Sequence, residues 1–362
     1  MGAGIAGLAA ARALEIRGFH PEIVEQKSVS PTAGQSLFLL GNAMRALGNL
    51  GLQEEIAPVS YPIRTQAIMS SRGSLLNKTS TQLVWGNCGP CVSVLRQTLA
   101  DVLQSSLRRT AITHGTTVVN SISRIGRREV HFSNGRVSDY DLVIGADGIR
   151  SSIRASTFAE TSPRSIGLAA WRLMVENRHQ IDSWTAMLGM KRTLLTIPLR
   201  SSKLYLYADC PANEFGDGSI RSLKRLFADF AHPLGSVVSE LDDSTSAHRA
   251  YLEEVPLGCY VADRLVLIGD AAHASSPNMA QGAAMALEDA VVLADCITGK
   301  QALDCSLSEF HERRKHRVEW VRKQCHARDK LRGAPDPVRN LVLLSLGTRL
   351  YHRSYNPLVE PT

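Results

Sequence analysis

The 362 residues are 44% hydrophobic and 21% charged, with a formal net charge of +7. That balance is globular and long enough for two domains, and it excludes extensive disorder, a collagen-like repeat and a disulfide-dense scaffold. No run of about 18 apolar residues supports a membrane-spanning helix, and the seven scattered cysteines (88, 91, 210, 259, 296, 305 and 325) read as reduced thiols of a cytoplasmic chain without a secretory signal.

From the N-terminus, Gly2-Ala3-Gly4-Ile5-Ala6-Gly7 leads into an Ala- and Leu-rich stretch, Leu8 to Arg17, which reads as a helix closed by Gly18. Pro21 to Glu25 then reads as a short strand ending in an acid. The spacing is that of a dinucleotide fold. Gly2 permits a tight turn, Gly4 lets a pyrophosphate approach the backbone, and Gly7 lets helix and strand pack closely. The helix start offers free N–H groups to phosphate, and Glu25 is placed to accept ribose hydroxyls. Such a motif follows a buried strand, yet only Met1 precedes Gly2, so the expectation is a natural start further upstream.

Ile63 to Leu83 predicts further strands, with the Ser/Thr-rich 70–81 as loops and edge strands. Cys88-Gly89-Pro90-Cys91 has the spacing of a thioredoxin redox pair. It runs into the apolar Val92 to Leu95 instead of opening a helix in a small βαβ unit, so a structural role is the stronger reading. Asp141 to Gly148 is an apolar strand ending in Asp147-Gly148, and Arg264 to His273 contains a second strand of this kind, ending in Gly269-Asp270. Asp270, at that carboxyl end, can receive a ribityl hydroxyl. Between these two, Leu194 to Pro198 and Lys203 to Tyr207 read as strands, with Tyr205 and Tyr207 on one face. After Asp270 the chain runs through Pro277-Asn278 and Ala280-Gln281-Gly282 into a helix opening with Ala283 and Ala284. That is a second N-terminus suited to a flat anionic group.

Together these motifs resemble the group A FAD-dependent monooxygenases of the para-hydroxybenzoate hydroxylase type. The glycine loop at Gly2–Gly7, Asp147-Gly148 and Gly269-Asp270 stand in the family's order and at roughly its spacings. Arg96, within Val94 to Leu99, matches an arginine that lies near FAD in that family, and 34–51 resembles the stretch after the ribose acid. The resemblance implies an α/β fold, a Rossmann-like FAD-binding domain with an inserted β-sheet substrate domain. The FAD domain is expected to be discontinuous over 1–62, 92–160 and 258–335, the substrate domain to take 63–91 and 161–257, and a C-terminal helix and tail to take 336–362.

The same resemblance implies FAD as cofactor and NAD(P)H as a transiently bound co-substrate, since no second complete dinucleotide unit is found. Reduced flavin would take O2 as a C4a-hydroperoxide and pass one oxygen to an aromatic or small cyclic substrate. FAD contacts are expected from Gly2, Gly4, Gly7, Glu25, Arg96, Ile122, Asp147, Gly148, Asp270, Ala280, Gln281, Gly282, Ala283 and Ala284, with the amides of 282–284 at the flavin N1/O2 edge. Pro277, Asn278, Arg172 and Tyr207 are the candidate catalytic residues. Asn278 stands where the urate-hydroxylase branch has an aspartate; an amide is no general base, which counts against urate. Arg172, beside Trp171, can meet a carboxylate or phenolate, although a structural pair at the domain interface is the stronger reading. His273 reads as a structural histidine.

Epoxidation of an isoprenoid and flavin-dependent halogenation are alternatives on the same scaffold. A truncated, non-catalytic FAD-binding protein is the alternative from another class. There is no zinc-ligand or hydrolase motif. Nine Lys/Arg between Glu312 and Arg332 face three acids, a local excess of +6; with no nucleic-acid-binding motif beside them, they read as a solvated outer face. The apolar side of Leu341 to Tyr351 is expected to pack on the FAD domain, in a monomer or homodimer.

Overall fold

The computed structural model describes residues 1–28, 35–158, 161–299 and 301–362; Gly34, at the head of the stretch 34–51, lies outside them. The chain opens with α1 (Ile5–Ile16), β1 (Glu22–Glu25), β2 (Ser36–Leu39), α2 (Gly41–Asn49) and α3 (Gln53–Ile56). Then come β3 (Tyr61–Pro62), β4 (Thr65–Ser70), β5 (Leu75–Ser80), α4 (Gln82–Trp85), β6 (Val92–Leu95) and α5 (Arg96–Ser105). A third stretch holds β7 (Ala111–His114), β8 (Val118–Arg124), β9 (Arg127–Phe132), β10 (Val137–Tyr140), β11 (Val143–Gly145) and α6 (Ser152–Thr157). The inserted part supplies β12 (Arg164–Glu176), β13 (Trp184–Gly189), β14 (Arg192–Leu199), β15 (Lys203–Pro211), α7 (Ile220–Leu226), α8 (Leu234–Ser239) and β16 (His248–Glu254). The chain closes with β17 (Val261–Ala262), β18 (Leu265–Leu267), α9 (Asp270–His273), α10 (Gly282–Ile297), α11 (Leu303–Gly333) and α12 (Asp336–Val359).

This is an α/β fold with two bodies of core. In the first, α1 and α10 pack through small side chains, Ala9 and Ala13 on one helix and Ala290 and Ala294 on the other, all fully buried. Alanine keeps helix propensity high and lets the two axes approach closely. The parallel pairs β1–β7 and β11–β18 lie to either side of the chain start. Gly2 N–H donates to Val24 O (2.8 Å), the Met1 amine to Ile144 O (2.7 Å), and Ala146 N–H to Met1 O (2.8 Å). Met1–Gly2 therefore bridges the two half-sheets beside a small open cleft lined by Ala10, Leu14, Ile23 and Ile144. Among the described residues no strand pairs with both β1 and β11.

In the second body, a seven-stranded sheet runs in the order β16-β12-β15-β14-β13-β4-β5. The strand period of two sorts its side chains. Trp171, Leu194 and Leu206 are buried on the side covered by α7 and α8. Ala170, Ile197, Tyr205 and Tyr207 point the other way, toward Phe38, Met279, Tyr351 and Tyr355.

Two expectations are corrected here. The basic helix is not wholly a solvated face: Arg314, Arg317 and Arg322 of α11 are buried, each because carboxylates or carbonyls wait for it in the interior. The C-terminal helix packs mainly on the inserted sheet. Gly347 of α12 sits so close to Asn77 of β5 that a Cβ there would lie 2.7 Å from its side chain, and Tyr351 accepts hydrogen bonds from Trp85 Nε1 (3.2 Å) and Gln66 Nε2 (3.3 Å). Its last two turns also reach α11, where Trp320 Nε1 donates to Ser354 O (3.0 Å) and Arg317 to Leu358 O (3.1 Å).

Candidate active site

The glycine loop is shaped by close approach. Gly2 has φ +98°, and a Cβ on it would lie 2.3 Å from Ala146 O; a Cβ on Gly7 would lie 1.9 Å from Gly2 O. At Gly4 nothing lies within 4 Å of such a Cβ, so the loop's one open side faces away from the protein. Gly4 caps α1 without any side-chain acceptor and no acid sits in the first turn. The positive end of the helix is thus left free for an anion. Glu25 Oε2 accepts from Ala3 N–H (2.8 Å) and Oε1 from Lys27 N–H (2.9 Å), which fixes the carboxylate beside the loop.

A second turn meets the first. Gly269 (φ +60°) is wedged between α1 and α10, since a Cβ there would lie 2.9 Å from Ala6 Cβ and 3.3 Å from Ala286 Cβ. Both of those alanines belong to the opening turns of their helices, so the two N-termini converge on Gly269-Asp270. The Asp270 carboxylate is exposed, has no partner among the described residues, and lies 3.9 Å from where a Cβ on Gly282 would stand. The first turn of α10, Gly282 to Ala284, likewise has no side-chain cap. Asp147 Oδ2 accepts from Ser152 N–H (2.9 Å), while its Oδ1 is buried and unpartnered; Gly148 turns at φ +80°. Arg96 opens α5, half-buried, its guanidinium unpartnered among the described residues. Ile122 pairs with Glu129 in the β8–β10 meander and shares no hydrogen bond with this groove. Two uncapped helix starts, glycines that a Cβ would block and an unpartnered acid fit an elongated dinucleotide with a pyrophosphate at its centre.

The loop 277–281 is held from behind. Asn278 Nδ2 donates to Cys325 O (3.0 Å), so the side chain proposed for catalysis is turned toward α11; its Oδ1 is buried without a partner. Arg328 donates to Asn278 O (3.0 Å) and Tyr355 Oη to Met279 O (3.2 Å). Pro277 is exposed, and Ala280 takes the left-handed conformation at φ +51°. The Gln281 side chain is pinned inward by Asn42, whose Nδ2 donates to Gln281 Oε1 (2.9 Å) and to Glu288 Oε1 (3.0 Å). It therefore offers a ligand only its backbone.

Beneath the loop lies a buried charge network that sequence reading missed. Arg314 bridges Glu288 (2.9 Å) and Asp289 (2.7 Å), and Arg317 adds a bond to Glu288 (3.2 Å). Asp289 Oδ2 also accepts from His273 Nε2 (2.6 Å) and from Gly269 N–H (2.8 Å), tying the network to the turn before Asp270. Burial opposes ionisation of Asp289, but His273 and Arg314 outweigh it and hold the carboxyl well below the usual range. His273 thus has the structural role expected of it. The legible signal was Glu288-Asp289 set inside an otherwise apolar helix, which demands buried cations.

On the inner face of the seven-stranded sheet, Arg172 is paired in register with Tyr207, is half-buried, and has no partner among the described residues. Tyr207 Oη donates to Asp209 Oδ2 (2.9 Å), and Asp209 is in turn held by Arg332, so this hydroxyl is committed. The Tyr205 hydroxyl has no such partner; burial pushes its pKa up to about 12 against the pull of Arg172. Trp171, on the opposite face, donates from Nε1 to Gly218 O (2.6 Å) and is purely structural.

The cysteines are all free. Burial raises the Cys88 thiol despite Arg45 beside it, and pushes Cys91 up to about 12. Almost no thiolate forms at neutral pH. The double substitution Cys88→Ser/Cys91→Ser is expected to keep oxygenase turnover within about twofold of the parent, since a thiol that stays protonated is inert; a loss of tenfold or more in a kcat assay would reinstate a redox role.

A profile described as "FAD binding domain" matches residues 1–324. The 2-heptyl-3-hydroxy-4(1H)-quinolone synthase of Pseudomonas aeruginosa is 33% identical over 333 residues, covering 89% of this chain and 86% of that protein. Aurachin C monooxygenase/isomerase of Stigmatella aurantiaca is 30% identical over 328 residues, covering 88% and 84%. Among solved structures, Klebsiella pneumoniae HpxO complexed with FAD and uric acid shares the fold with a TM-score of 0.89 at 23% identity, over 99% of this chain and 96% of that one.

Proposed function

The chain belongs to the FAD binding domain family, as an FAD-dependent monooxygenase of the aromatic-hydroxylase type, and from that premise we propose that it hydroxylates a 2-alkyl-4(1H)-quinolone or a closely similar bicyclic ring. The observation that carries this reading is the inner face of the seven-stranded sheet. Apolar side chains (Phe38, Ile197, Met279) surround a self-satisfied polar trio, Tyr207, Asp209 and Arg332, and two uncommitted donors, Arg172 and Tyr205. A 4(1H)-quinolone has one keto oxygen, one ring N–H and otherwise apolar edges, so the N–H is the single polar atom that these two donors do not pair. Urate, with polar atoms around its whole rim, would bury several without partners, each at about 1–3 kcal/mol. Asn278 in place of an aspartate, with its amide turned to Cys325, adds to the case against urate. The names of the two relatives, a quinolone synthase and an aurachin monooxygenase, support it.

In this reading, FAD reduced by NAD(P)H supplies the activated oxygen. The seven-stranded sheet is the substrate body, and the groove around Gly4, Asp270 and Gly282 is the FAD body. Arg172 and Tyr205 hold the keto oxygen and stabilise negative charge that builds on it as the ring carbon reacts. The buried aromatic and methionine side chains exclude water, and the network under Gln281 keeps the α10 amides aimed at the cofactor.

The test is NAD(P)H oxidation with product mass spectrometry. A 2-alkyl-4(1H)-quinolone is expected to stimulate turnover and gain one oxygen atom. Stimulation by urate with no response to the quinolone would overturn the reading. Arg172→Met is expected to raise KM about 10–100-fold, the value of a charged hydrogen bond, while FAD stays bound as in the parent; an unchanged KM would remove Arg172 from the site.

A further inference from the structure

The exposed side of α12 carries an unusual concentration of apolar surface. Val338 is 55% exposed, Leu341 65% and Leu344 60%. Their spacing of three residues stacks them along one helix face, and Leu346 flanks them. Two more exposed leucines, Leu75 and Leu83, belong to β5 and α4, the elements against which α12 packs. Contiguous apolar surface of this kind marks an interaction site.

The helix is rigidly presented. At its start Arg339, buried, donates to Gly189 O (2.8 Å) and Leu188 O (3.0 Å). At its end Arg45 donates to Glu360 O (2.9 Å) and Arg317 to Leu358 O (3.1 Å). The exposed face is therefore a fixed feature of the fold. Continuing along it, Arg349 and Arg353 are exposed, and no acid occurs from 337 to 359. In the sequence the helix is flanked by two acids, Asp336, paired with Arg339 (3.0 Å), and Glu360 beyond its end.

We propose that α12 is a docking surface for an anionic lipid bilayer, with Val338, Leu341 and Leu344 seated among the acyl chains and Arg349 and Arg353 on the headgroups. An apolar stripe continued by arginines, on a helix lying flat against its protein, is the pattern of an interfacial helix. A second copy fits the surface less well, because a twofold contact would set this arginine-bearing face against itself. The choice of a bilayer over an acidic protein rests on the substrate reading above, since an alkyl quinolone partitions into membranes and would be met there.

Flotation of the full FAD-loaded chain with vesicles, without substrate, tests the surface separately from the activity. Binding to phosphatidylglycerol–phosphatidylcholine vesicles is expected to exceed binding to phosphatidylcholine alone by about tenfold or more, as two arginines near an anionic surface require. Leu341→Glu/Leu344→Glu should abolish flotation and leave FAD absorbance unchanged. Arg349→Glu/Arg353→Glu should remove the preference for the anionic lipid. Failure to float with either vesicle overturns the proposal, as does flotation unaffected by the leucine pair. A concentration-dependent dimer that the leucine substitutions dissolve, with no flotation, assigns the face to a second copy instead.

Discussion

Replacing Arg314 with methionine is expected to destabilise the chain by about 3–5 kcal/mol, the cost of leaving buried charge unpaired, measured by urea unfolding of the FAD-free protein. Arg314 satisfies Glu288 and Asp289 at once, and neither carboxylate can reach water. Arg317 remains for Glu288 and His273 for Asp289, so the loss should stop short of complete unfolding. The effect extends to the cofactor, because Asp289 also holds the amide of Gly269. Lysine at 314 is expected to recover less than half of the loss, since one ammonium cannot span two carboxylates as a guanidinium does. The pH dependence has a definite sign. Asp289 ionises more readily in the fold than in the unfolded chain, so its contribution is complete above about pH 4, the unfolded value, and is lost as pH falls through the lower native value. A loss under about 1 kcal/mol on Arg314→Met would show that the network does not hold the fold together.

The second large effect separates two glycines that look alike in the sequence. Gly7→Ala places a methyl 1.9 Å from Gly2 O, and the obstacle is backbone that is itself bonded to β1. The loop must move, at about 1–3 kcal/mol, and FAD should bind about 10–100-fold more weakly. Gly4→Ala meets nothing in the protein; it should unfold as the parent does and still lose FAD affinity, because its methyl enters the space a pyrophosphate would take. Thermal unfolding beside fluorescence titration with FAD reads both. Equal FAD affinity for Gly4→Ala and the parent would mean that the phosphates lie elsewhere.

The local motifs were legible because each is a backbone requirement written in residue type. Gly2, Gly7 and Gly269 occupy positions where a Cβ collides, and a sequence reader sees that as glycine at fixed spacing. The alternation of Lys203 to Tyr207 likewise placed Tyr205 and Tyr207 on one face. What alternation could not say is that Asp209 would engage Tyr207 and leave Tyr205 free, since that depends on Arg332 arriving from the far end of α11. Gln281 stood beside the right turn, but its partner Asn42 lies 239 residues away, and no spacing rule reaches that far. In α11 the buried positions 314, 317, 318, 321, 322 and 325 recur at helical spacing, a signal that a run of basic residues masks, because arginine is read as surface unless its acid is known.

The amino-acid sequence by itself determined the α/β class, the order of the glycine turns and the strands that run toward Asp147 and Asp270, while the cofactor and the type of reaction came from the family resemblance that these motifs carry. The turns and strands depend on neighbours within a few residues, where backbone sterics and hydrogen-bond periodicity are decisive. Only the tertiary structure decided which polar side chains face the substrate, which charges are buried, and where α12 lies. Those outcomes are settled by desolvation: an arginine or tyrosine takes whichever partner the packed interior brings to it, and that partner is chosen by the whole fold.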